Sequence, residues 1–349
     1  MDYNLQIQKL LIQADNELTE QGEIIILKQA IAVADSHNDI EWGFDLRLDL
    51  FETFRIADIN EMMPAFVWLL DAYDNNSDLF DENELLWIYD WMIDTSARDY
   101  NISLEQIDSM LEDYKNRLLR NGMSIRTYYK SKIGVGFIIE NLGMVKENIE
   151  LRNKSERDKM SSSEYDDLYD EILYFLQTAN ISEAVKLYPK VLQLNTNSIT
   201  ISSSYAEELI RCKRYDIVNK YIDDAIKDLS ESKDRYLMVA ISSIVFALFR
   251  INKIKDAWYY FENSINWYSK TCEYDILLWG LNVLPLLACG GKRELNLKTD
   301  LPFYNESGVY DVSQLYQYVY GKVSYLSTVF DKRNRCNYFE KQISEFSKI

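Results

Sequence analysis

Glycine and proline are scarce here: the 349 residues include 11 Gly and 4 Pro, about half or less of ordinary usage. All-β folds need turn residues every few positions, so the shortage excludes them and leaves long helices joined by short loops. Histidine occurs once, as His37 in Asp35-Ser36-His37-Asn38-Asp39, a hairpin loop open to solvent. The four cysteines, Cys212, Cys272, Cys289 and Cys336, lie far apart, so with a single histidine no zinc-ligand spacing exists. They read as reduced structural thiols of a reducing compartment, although Arg211, Lys213 and Arg214 would favour a thiolate at Cys212. The longest apolar stretches, such as residues 238–249, fall short of the ~20 residues that span a bilayer. The polar, amphipathic N-terminus lacks the layout of a signal sequence. A cytoplasmic protein with no membrane association is expected.

Phosphate-cradling motifs are also missing. No G-x-x-x-x-G-K-[ST] or G-x-G-x-x-G occurs, and Gly134-Val135-Gly136 sits inside a helical run. Asp74, Asn76 and Asp78 match alternate positions of a calcium loop. Leu79 then stands where glycine belongs and Leu85 where the closing glutamate belongs, which argues against an EF-hand. No cofactor, metal or catalytic constellation is legible, and the expectation is a protein that is not an enzyme.

What is present is acid, unevenly spread. Residues 1–120 hold 26 Asp and Glu against 8 Lys and Arg, a balance of −18, equal to the net charge of the whole chain. The remaining residues are therefore neutral. Between Arg55 and Lys115 the only base is Arg98. Phosphate backbones are bound by clustered bases, so nucleic acid is excluded as a partner of this region and a basic protein or peptide is favoured.

Helical periodicity runs from residues 4–18 to 311–331, with a short terminal helix over 336–346. It includes runs over 40–57, 198–212 and 234–251. Ser103-Leu104-Glu105-Gln106 is a capping box, and Gly122 and Gly143 stand where helices should stop. Within 164–289 the columns of a tetratricopeptide repeat can be aligned, at intervals of 34 and 39 residues. Ile172 and Phe175 precede Ala184 and Tyr188. Ala206 and Leu209 precede Val218, Ile222 and Ala225. Val245 and Leu248 precede Ala257, Phe261 and Ser264. Small residues let paired helices approach and large ones fill the space between pairs, so Ala184, Ala206, Ala225 and Ala257 should be buried. Gly136 and Ile139 fit a further unit, but Asn148 and Arg152 occupy its alanine and aromatic columns.

The expected fold is all-α, an α-α superhelix of stacked helical hairpins of tetratricopeptide type. An acidic, Trp-rich block spans 1–152 and a polar loop 153–163. Repeats follow over 164–289, an irregular loop over 290–310 and capping helices over 311–349. The ordered set Leu46-Arg47-Leu48-Asp49-Leu50, Ala65-Phe66-Val67-Trp68, Leu85-Leu86-Trp87 with Trp91, Gly122 to Arg126, Leu142-Gly143 and Phe330-Asp331-Lys332-Arg333-Asn334 resembles a family of bacterial tetratricopeptide proteins. That resemblance implies a helical-repeat fold and no assigned activity.

Trp87 and Trp91, four apart, share a helix face that Trp68 of the preceding helix is placed to join. With Asp90 and Asp94 they make the candidate partner-binding surface, an aromatic groove edged with acid on the hairpins between Leu46 and Asp94. The function expected is a non-catalytic scaffold or adaptor binding a protein or peptide. The alternatives are a peptide-sensing regulatory switch, or an inhibitor or immunity-type protein covering a basic site on a toxin or nuclease.

Overall fold

The computed structural model describes residues 2–53, 59–194, 199–232 and 237–346. Its described residues form 17 α-helices and one two-stranded ribbon, so the all-α class holds. The expected helical residues 54–57, 198 and 234–236 lie outside the described residues. No helix among those described is long and apolar enough to cross a membrane. The chain divides into two compact units, Met1–Ser96 with Ile107–Met123, and Ala97–Gln106 with Ser124–Ile349.

The first unit contains α1 (Tyr3–Asp15), α2 (Glu20–Ser36), α3 (Ile40–Thr53), α4 (Ile59–Asn75) and most of α5 (Glu82–Ala97) and α6 (Leu104–Arg120). Asp2 accepts from the Asn4 N–H and Thr19 from the Gly22 N–H, capping α1 and α2. Rings tie α4, α5 and α6 together: Phe66 meets Tyr89 edge-on at 4.9 Å, and Tyr89 stacks on Tyr114 at 5.2 Å. Beside them the buried Arg117 guanidinium bridges three helices, with Asp74 at 2.6 Å, Asp113 at 2.7 Å and Glu82 at 3.0 Å. Asp74, the first residue of the apparent calcium loop, is thus held by arginine.

The second unit continues with α7 (Arg126–Ile138), α8 (Leu142–Lys154), α9 (Glu164–Gln177), α10 (Ile181–Leu194), α11 (Ile199–Arg211), α12 (Val218–Glu231), α13 (Met238–Arg250), α14 (Ile254–Ile265), α15 (Glu273–Leu287), α16 (Val312–Asn334) and α17 (Tyr338–Phe346). Consecutive helices pair as hairpins, and the first helices α9, α11, α13 and α15 pack on one another in order. That is the stacking of an α-α superhelix. Ala184, Ala206, Ala225 and Ala257 are all fully buried, as their columns require. At Gly136 an added Cβ would lie 2.8 Å from Val145 Cγ2, so only glycine allows α7 and α8 to approach so closely. Across the stack Asn282 on α15 donates to Glu207 on α11 (2.9 Å) and accepts from Arg211 (3.0 Å), a polar tie between first helices.

The first unit ends at Met123, so α7 and α8 fall in the second unit with the hairpins that follow them. Residues 153–163 act as a structured clamp: Met160 is buried, Asp158 accepts from the Ser124 N–H at 2.7 Å, and Arg157 pairs with Asp167. Arg126 and Arg152 reach across it to Asp167 and Asp170 on α9. The unsuitable Arg152 in the aromatic column is fully buried and fills its space with an ion pair.

Within 290–310, Lys292–Glu294 (β1) begins an antiparallel ribbon with Val309–Asp311 (β2), Arg293 opposite Tyr310. Strands of three residues are too short for an alternation to be read from the sequence, although Tyr310 is buried between exposed neighbours. Gly143 differs from the expectation of a helix stop: it lies in the first turn of α8, which Asn141 caps by accepting from the Met144 N–H. The stop before it is Glu140, at φ 58°.

Glu140 is one of a series. Ala179, Lys213 and Asn252 hold the same left-handed conformation after α9, α11 and α13. The following residue donates back in each case: Asn141 to Gly136, Asn180 to Phe175, Arg214 to Leu209 and Lys253 to Leu248, at 2.8–2.9 Å. These are Schellman stops made without glycine, which is how the hairpins form in so glycine-poor a chain.

Two outcomes follow from this packing. Ala257→Leu should overpack α13 and α14 and lower stability by ~1–3 kcal/mol in denaturant titration. Ala179→Gly should raise it by about 0.5–1 kcal/mol, because relief of left-handed strain exceeds the added chain entropy. An unchanged midpoint for Ala179→Gly would show that the turn is unstrained.

Candidate functional site

In the first unit α3 and α5 form the walls of a groove of about 720 Å³. Trp42, Asp45, Leu48, Asp49, Phe51 and Glu52 line it from α3, and Glu84, Trp87, Ile88 and Trp91 from α5. Helical spacing explains the set. Positions 42, 45, 49 and 52 recur every three or four residues, as do 84, 87, 88 and 91, so each group occupies one face of its helix. The rings are fixed to different degrees. Trp42 donates its indole N–H to Asn4 Oδ1 at 2.7 Å. Trp91 meets Phe51 edge-on at 6.0 Å. Trp87 is 55 % exposed, a large apolar surface open to solvent.

Of the sequence-predicted site residues, Trp87 and Trp91 line this groove. Asp90 and Asp94 are half-buried, interact with other groups of the protein and do not line it. The acid of the groove comes from Asp45, Asp49, Glu52 and Glu84 instead. Trp68 does not join the pair either. It packs against Gly43, where an added Cβ would lie 2.9 Å from its ring, and the Arg47 guanidinium covers it at 3.8 Å. Trp42 takes the place expected of Trp68. Trp42 lies on α3 and Trp68 on α4, and nothing in their local sequence says which of them faces α5.

The electrostatics are one-sided. The nearby bases are engaged elsewhere, Arg47 with Asp35 at 2.9 Å and Arg117 and Arg120 with Asp74 and Glu82. No base lines the groove among the described residues. Desolvation by the groove walls, then Glu41 and Asp39, raise the Asp45 pKa above the ordinary aspartate value. Desolvation, then Glu52, Asp45 and Asp15, raise Asp49. Both carboxylates are thus disfavoured in their charged form, the condition a cation would relieve.

The other sequence candidates are accounted for structurally. His37 caps α2, exposed, and stacks on Tyr3 at 4.3 Å. Cys212 is not activated: burial, then Glu208, raise its thiol pKa, while Arg214 pairs with Asp216 at 2.8 Å. In Trp258-Tyr259-Tyr260 the exposed ring is Tyr259. Among the described residues no group of three or more His, Cys, Asp or Glu side chains could hold a metal ion. No protein-family model matches the chain, and no curated protein matches it in sequence.

The raised carboxylates make a signed prediction. Between the ordinary and the raised pKa the folded chain holds more protons than the unfolded one, so stability rises as pH falls through that interval. The destabilisation is complete at neutral pH. Asp49→Asn should therefore raise Tm at pH 7 and lose that advantage near pH 3, below the ordinary aspartate pKa of ~3.9. A Tm difference independent of pH would place the effect in packing.

Proposed function

We propose that the protein is a non-catalytic, helical-repeat scaffold of tetratricopeptide type, acting in the cytoplasm. On this reading the groove between α3 and α5 binds a basic, partly apolar segment of a protein or peptide. The observation that carries it is the lining itself: three tryptophans and four carboxylates face one groove with no base among them. Exposed indole is characteristic of interaction hot spots, where it supplies residence, and complementary charge speeds encounter. The uncompensated Asp45 and Asp49 support the same reading, since a surface optimised for stability alone would pair them or remove the charge.

The test uses peptides selected from a random display library against the intact protein. They should carry net positive charge together with apolar residues. Glu52→Lys combined with Glu84→Lys changes two exposed side chains, so folding should be retained. The same peptides should then associate at least tenfold more slowly at low salt, with a weaker salt dependence. Selected peptides that bind this variant with unaltered kinetics would place the binding surface elsewhere.

A further inference from the structure

The two walls of the groove differ in chemistry, and their spacing restricts what fits between them. Asp45, Asp49 and Glu52 present about one carboxylate per turn along α3, whereas Trp87 and Trp91 present rings on successive turns of α5. From position 42 to position 52 the α3 wall runs ~15 Å at 1.5 Å per residue. An extended chain covers the same ~15 Å with four or five residues. Its side chains point alternately to opposite sides, and same-side neighbours lie ~6.8 Å apart. Carboxylates one helical turn apart, about 5–6 Å between their Cβ atoms, nearly match that spacing.

Resting on the proposed function, we propose that the groove captures an extended segment in which basic residues alternate with apolar ones, the bases on Asp45, Asp49 and Glu52 and the apolar side chains on Trp87 and Trp91. Charge complementarity selects the occupant: three of the four carboxylates lie on the α3 wall, beside Trp42, Leu48 and Phe51, and the α5 wall is apolar except for Glu84. Arginine suits both walls better than lysine, because its planar guanidinium forks onto carboxylates and also stacks on indole. The same unit shows the combination internally, where Arg47 pairs with Asp35 at 2.9 Å while lying 3.8 Å over Trp68.

The experiment compares three synthetic peptides with blocked ends, titrated into the intact protein at low salt and followed by tryptophan fluorescence. One is Arg-Leu-Arg-Leu-Arg-Leu and one its block isomer Arg-Arg-Arg-Leu-Leu-Leu. The third is a longer helix-forming peptide with Arg and Leu on opposite faces. The alternating peptide should bind at least tenfold more tightly than either of the others. Trp87→Ala, at an exposed ring, should remove that preference while circular dichroism stays unchanged; Glu52→Gln, also exposed, should weaken the alternating peptide severalfold. Equal affinity for the two isomers, or tighter binding of the helical peptide, would overturn the alternation and leave a groove for basic segments standing. Binding of none of the three would overturn both.

Discussion

Buried arginine held by carboxylates of neighbouring helices is the interaction on which the two units depend. Arg117 does this for α4, α5 and α6, and Arg126 and Arg152 do it for α7, α8 and α9. Arg333 closes the C-terminal end of the second unit by donating to the carbonyls of Ala97, Asp99 and Ile102. A guanidinium suits such positions because its five donors satisfy several acceptors at once. The buried carboxylates each meet a second base, Arg120 at Glu82, Arg157 at Asp167 and Lys130 at Asp170, so the ties are networks and not isolated pairs. Apolar packing fills the space between hairpins, while these ties join helices whose facing columns are polar.

The same interaction organises the surface charge. The first 120 residues contain only 8 bases. Arg47, Arg117 and Arg120 are drawn into ties with Asp35, Asp74 and Glu82. The buried Glu82 and the exposed Asp35 and Asp74 are thereby neutralised, and the α3 stripe of Asp45, Asp49 and Glu52 is left with no base lining the groove beside it. A net charge that the sequence localises only to the first third becomes directional in the fold, because the few bases there are committed to particular carboxylates, the buried Glu82 among them.

Much of the fold was legible because its determinants are local. The capping box at Ser103 forms as expected, with Gln106 Oε1 accepting from the Ser103 N–H at 2.9 Å and Ser103 Oγ from the Gln106 N–H at 3.2 Å. The alanine columns are buried because close helix approach tolerates nothing larger. The hairpin stops were harder to read, since Glu140, Ala179 and Lys213 adopt a conformation usually given to glycine. Their left-handed geometry is imposed by the packing of the hairpins on either side. Residues 155–163 form a loop, as their polar, Ser-rich composition signals, and what composition does not signal is that polar groups over 153–163 serve as partners for buried arginines.

The groove was half legible. Trp87 and Trp91 declare a shared face through their spacing, but nothing local decides which acids stand opposite them. Asp90 and Asp94 are nearest in sequence and lie on the aromatic helix itself, whereas the carboxylates that line the groove come mainly from α3. A cleft between helices draws its two walls from segments distant in the chain, so one wall can be inferred and the other requires the fold. That separation also has a chemical consequence. If acid and indole alternated along one helix, any cationic surface would meet both together. Three of the four carboxylates lie on α3, while Trp87 and Trp91 form a ring pair on α5 and Trp42 and Phe51 add rings from α3, so the groove discriminates by the geometry of its ligand as well as by charge.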